Sequence, residues 1–67
     1  MKVSLKAARI NANLGQREAA AAIGVATETL SNWENGKSFP NVPQISRLEE
    51  LYRVKYDDII FLPHNSV

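Results

Sequence analysis

Between Thr27 and Asn35 the chain sets two large apolar side chains, Leu30 and Trp33, whose spacing as one buried face leaves Thr27, Glu28, Thr29, Ser31, Asn32 and Asn35 turned outward. Such polar groups hydrogen-bond well and react poorly: an amide offers a donor beside an acceptor, a carboxylate only accepts, and a hydroxyl does both. Nothing near them completes a catalytic set. The chain has no cysteine and one histidine, His64, which excludes a thiolate nucleophile and a thiolate or histidine metal cluster. With no paired carboxylates, nucleophile-base couple or phosphate-cradling glycine loop, neither an enzyme nor a cofactor or metal is expected. A polar stripe without lysine stems suits the reading of base edges in a groove, and the plainer alternative is a solvated helix face.

That stripe needs a helix, and the helix needs a core. Ser4 is a good cap for a first helix with Leu5, Ala8 and Ala12 on its apolar face, ended by Asn11, Asn13 and Gly15. The run Gln16 to Ile23 is alanine-rich, the best helix-forming composition, and Gly24 stops it. Thr27 is expected to cap a third helix that buries Leu30 and Trp33 and closes at Asn35-Gly36. Lys37 to Val42 reads as a loop, after which Asn41 caps and Pro43 enters a fourth helix with Ile45, Leu48, Leu51 and Tyr52 as its stripe, up to about Arg53. A fifth helix is expected over Tyr56 to Phe61, with Asp57 and Asp58 in its first turn. The strand reading of Ile59 to Leu62 is the weaker one, because nothing else in the chain looks like a strand partner. Two short helices joined at Gly24, with the small Ala20 at their crossing, describe a helix-turn-helix.

Sixty-seven residues, 45% of them hydrophobic, make one small domain held by apolar packing. The expected organisation is a domain over 1–62 and a tail over 63–67 that includes His64, to which no role is assigned. The net charge of +1 predicts neither nucleic-acid nor membrane binding. No apolar run approaches the ~20 residues of a membrane span and no signal peptide is apparent, so the chain reads as cytoplasmic.

Residues Gln16-Arg17-Glu18-Ala19-Ala20, Ile23-Gly24-Val25, Thr29-Leu30, Trp33-Glu34-Asn35-Gly36-Lys37 and Pro40 resemble the phage-repressor and Cro type of helix-turn-helix, also called the Xre type. The likeness continues through Leu48 to Val54 and Tyr56 to Ile60, covers roughly residues 4–62, and looks most like small prophage-encoded members. It implies an all-α, five-helix, lambda-repressor-like DNA-binding domain whose third helix enters the major groove. By position it implies that Thr27, Glu28 and Asn32 face bases, with Thr29 and Ser31 as additional contacts, and that Gln16, Arg17, Asn35 and Lys37 meet phosphates. The chemistry agrees: Asn32 suits adenine, Glu28 accepts from cytosine N4, and Thr27 suits a thymine methyl. Arg9 and Glu34 match a structural ion pair of such domains.

This chain departs from the pattern at Gly15, where relatives carry a capping Ser or Thr, and at Arg53 and Lys55, where they carry a glycine and a cap. Several apolar residues also exceed the needs of the core: Ile10, Phe39, Val42, Phe61 and Leu62. They either cap the core beneath a loop and tail or form a protein interface. The resemblance implies a homodimer, with Ile60, Phe61 and Leu62 as the contact. The expected function is a Cro-like repressor on a double-stranded DNA operator. The alternative is an antirepressor or antitoxin-like partner that uses the same scaffold to bind another phage regulator protein.

Overall fold

The computed structural model describes residues 2–61. Four α-helices form, α1 (Leu5–Asn11), α2 (Gln16–Ile23), α3 (Thr27–Glu34) and α4 (Val42–Tyr52). Each ends the same way, at a residue with positive φ: Asn13 at 60°, Gly24 at 90°, Gly36 at 75° and Arg53 at 56°. In every case the next N–H reaches back five residues to a carbonyl: Leu14 to Arg9, Val25 to Ala20, Lys37 to Asn32 and Val54 to Glu49, at 2.9 to 3.3 Å. This closure satisfies orphan carbonyls of the last turn and needs a left-handed residue to make the reversal. Glycine and asparagine tolerate that conformation, whereas Arg53 brings a Cβ into it.

Arg53→Gly is therefore expected to stabilise the protein by about 1 kcal/mol, seen as a rise of roughly 4–8 °C in the thermal midpoint. An unchanged midpoint would show that glycine's added freedom in the unfolded chain cancels the relieved strain.

The helix starts follow local chemistry with one exception. Ser4 Oγ accepts the Ala7 N–H at 3.0 Å, and Asn41 exchanges two hydrogen bonds with Gln44, at 2.8 and 2.9 Å. Gly15 has no side chain to offer, but Glu18 Oε1 accepts its N–H at 2.9 Å, half of a capping box. The exception is α3. Ala26, not Thr27, holds the cap position, and Thr27 is the first helical residue. The reversal at Gly24 and the packing of α3 on α2 set where the helix restarts, and they override the capping preference of threonine.

The fifth helix does not form. Tyr56–Asp58 makes a single 3₁₀ turn, and Ile59–Ile60 is a strand, β2, paired in parallel with β1 (Val3–Ser4), Val3 opposite Ile59 and Ser4 opposite Ile60. The partner strand is a by-product of helix capping: to cap α1, Ser4 must be extended (φ −69°, ψ 161°), which leaves an extended stretch ready to pair. Two β-branched isoleucines suit the other side. Glu49 Oε2 holds the preceding turn by accepting the Tyr56 N–H at 2.8 Å.

The core gathers Leu5 and Ala8 of α1, Ala19, Ala20 and Ile23 of α2, Leu30 and Trp33 of α3, Leu48 and Tyr52 of α4, and Ile59 of β2. Burial of Ala19 and Ala20 is complete, which lets α2 and α3 approach closely at the turn. From the far side Arg47 of α4 donates Nη1 to the Ile23 carbonyl at 3.1 Å, closing the exposed end of α2. Trp33 is buried and belongs to the core.

Candidate nucleic-acid interface

On α3, Leu30, Trp33 and Glu34 are buried, while Glu28 and Asn35 are exposed and Thr27, Thr29, Ser31 and Asn32 are half-buried. With 3.6 residues per turn, Glu28, Asn32 and Asn35 fall within about a sixth of a turn of one another, opposite the buried face. Ser31 lies beside them, and Thr27 and Thr29 mark the two borders of the stripe.

A buried cluster holds this helix in place. Arg9 Nε donates to Glu34 Oε2 at 2.7 Å and Nη2 to Oε1 at 3.3 Å, while Arg9 Nη1 donates to the Leu14 carbonyl at 2.9 Å. Gln16 Nε2 adds a third bond to the same carboxylate, at 3.0 Å on Oε1. One carboxylate thus joins α1, the start of α2 and the end of α3. The hydrogen bond to Glu34 holds the Arg9 guanidinium above its ordinary pKa against the opposing effect of burial.

Tyr52 sits close enough to feel both charges, and its buried hydroxyl makes no hydrogen bond among the described residues. Burial chiefly, with Glu34 adding to it, pushes the phenol up to about 12 from 10.0. The unfolded chain therefore ionises first. Stability from this group is complete below pH 10 and is lost as pH rises through about 12, a loss on the order of 2 kcal/mol. Denaturant midpoints measured from pH 8 to 12 should fall over that window and should fall less in Tyr52→Phe; equal profiles would refute the assignment.

The residues expected to meet phosphate divide into two kinds. Arg17, on the first turn of α2, and Lys37, just past α3, are exposed cations. Gln16 and Asn35 are engaged within the protein instead: Gln16 through Glu34, and Asn35 through Nδ2, which donates to the Ser31 carbonyl at 2.9 Å and its hydroxyl at 3.3 Å.

A second surface lies on the other side of the α3–α4 loop. Phe39, Pro40, Ile45, Tyr56 and Phe61 line a groove of about 280 Å³ that runs on past Val42 and Ser46. Phe61 meets Phe39 edge-on at 6.4 Å and Tyr56 at 5.8 Å. Ile60 is exposed on β2 because strand alternation turns it away from buried Ile59. Leu62 lies outside the described residues. The leftover apolar residues thus divide, with Phe39, Val42 and Phe61 at this groove and Ile10 exposed on α1. Sequence pattern gives Tyr56 and Pro40 no place in this groove, since only the tertiary fold brings the loop, α4 and the C-terminal segment together. Arg47 was equally invisible, as its partner is a backbone carbonyl 24 positions away.

Among the described residues there is no group of three or more His, Cys, Asp or Glu that could hold a metal, and no helix is long and apolar enough to cross a membrane.

Two short helices crossing at buried alanines, with a polar stripe turned outward on the second, define a helix-turn-helix protein. The family model described as helix-turn-helix matches residues 5–59, most of the chain. The chain belongs to the Xre/Cro-type helix-turn-helix family, whose members are DNA-binding transcription regulators. No curated protein and no solved structure matches it.

Proposed function

We propose that this protein is a Cro-like repressor that reads a double-stranded DNA operator through α3 in the major groove. The observation that carries the reading is the stripe of Glu28, Asn32 and Asn35 on the face of α3 opposite Leu30, Trp33 and Glu34. Asn32 makes no hydrogen bond to another described side chain, so its amide is open to pair bidentately with an adenine. Thr27, Thr29 and Ser31 flank it as additional contacts. Arg17 and Lys37 supply phosphate contacts, with Gln16 contributing where its bond to Glu34 allows, while Asn35, its Nδ2 tied to Ser31, is left as an acceptor on the stripe. The proposed domain spans 1–62, followed by a tail over 63–67.

A single helix reads few bases, and a homodimer doubles the site. The apolar surface supports such pairing, through Ile60, Phe61 and Leu62 together with the adjoining groove. The same surface favours a second reading, in which the chain is an antirepressor or antitoxin-like partner that holds another regulator protein. Salt separates the two, because phosphate contacts weaken steeply with salt and an apolar interface does not.

The test is fluorescence anisotropy with duplexes selected from a random library, at low and near-physiological salt, against a scrambled competitor. Asn32→Ala is expected to reduce the preference for selected over scrambled duplex by roughly 10- to 100-fold, with an unchanged circular dichroism spectrum. Preference that survives the substitution counts against the assignment of Asn32, and binding without any preference counts against the repressor reading.

A further inference from the structure

We infer that the outward stripe of α3 is an acceptor surface selective for the exocyclic amino groups of adenine and cytosine, and that a methyl group on such an amino nitrogen blocks binding. The inference rests on the DNA-reading proposal above and specifies what that face takes.

Its first support is the orientation of Asn35. The side-chain Nδ2 is tied to the Ser31 carbonyl and hydroxyl at 2.9 and 3.3 Å, so Oδ1 is the polar atom left for an outside partner. Ser31 is thus a positioning residue that turns a two-sided amide into an acceptor. An outward carbonyl oxygen at the negative end of a helix is also poorly placed for phosphate. The second support is Glu28, exposed at the other end of the stripe, whose carboxylate only accepts and has no ion-pair partner among the described residues. The third is composition: no Lys or Arg occurs between Thr27 and Asn35, and these are the side chains that pair best with guanine O6 and N7.

The base edges complete the reasoning. In the major groove guanine presents two acceptors and thymine one acceptor beside a methyl, whereas cytosine N4 and adenine N6 present a donor. An acceptor facing guanine meets like charge and leaves both groups unpaired. Glu28 and Asn35 lie seven residues apart, about 10 Å along the helix, which is about three base steps. Asn32 between them retains both donor and acceptor and suits adenine N6 with N7. Each amino group uses one hydrogen for its Watson–Crick partner and turns the other toward the groove. A methyl on that nitrogen replaces the groove-facing hydrogen and occupies the position the acceptor needs.

The experiment uses the 67-residue chain and duplexes selected from a random library. Each selected adenine or cytosine is replaced in turn by N6-methyladenine or N4-methylcytosine, with the same modified base outside the half-site as control. Expected is a loss of about tenfold or more at two or three positions within one half-site, and none for the control. Glu28→Gln, which adds a donor, should admit guanine at one of those positions. Specific binding that ignores amino methylation, selected sites that present guanine to the stripe, or an unchanged exclusion of guanine in Glu28→Gln would each overturn the inference and leave operator reading intact. Absence of any sequence preference would overturn both.

Discussion

Glu34→Ala is expected to lower stability by about 3–5 kcal/mol, enough to unfold much of a domain this small. The Glu34 side chain is 3% exposed and that of Arg9 10%, and removing the carboxylate leaves a buried guanidinium with only the Leu14 carbonyl for company. Gln16 loses its acceptor at the same time. The penalty is that of an uncompensated buried charge, which is larger than the net contribution of the pair itself. Arg9→Met with Glu34→Leu should therefore recover most of the loss. Urea denaturation of the two variants is the check, and a loss below 1 kcal/mol in Glu34→Ala would mean that water reaches Arg9 and solvates it.

The second large effect is expected at Leu30. Its side chain is fully buried where α3 packs on α2, and Leu30→Ala should lower stability by roughly 3–5 kcal/mol through lost burial and the cavity left behind. Affinity for selected duplexes should fall with the folded fraction and return when the fold is stabilised by added osmolyte. This contrasts with Asn32→Ala, where the fold persists and the preference is lost. If Leu30→Ala bound normally while melting far lower, α3 would be held by its ends alone.

Much of this fold is legible in the residues themselves. Ser4, Gly24, Asn41 and the Asn35-Gly36 pair mark helix ends because capping and left-handed turns depend on the conformational freedom and hydrogen-bonding reach of single residues. The division of α3 into buried and outward faces is legible for a related reason, since helical periodicity relates neighbours only three and four positions apart. The spacing of Leu30 and Trp33 therefore predicts which polar groups remain outside. The final segment reads as a helix because acidic residues ahead of an apolar run resemble a helix start, and two-residue strands have no periodicity to betray them.

By itself, then, the sequence determined where α1, α2 and α4 begin and end, which faces of α3 and α4 are apolar, and the helix-turn-helix pair. Those properties are local, decided by propensity, caps and spacing within a few turns. Only the tertiary structure decided that Ile59–Ile60 pairs with the stretch that caps α1, that Arg47 closes α2, and that Phe39, Tyr56 and Phe61 share one groove. The amide of Gln16 belongs with these, turned inward to Glu34, a partner 18 positions away that local pattern does not name. Backbone pairing and buried polar contacts join groups whose partners are set by how the helices pack. A carbonyl or an extended dipeptide carries no mark of which distant residue will meet it.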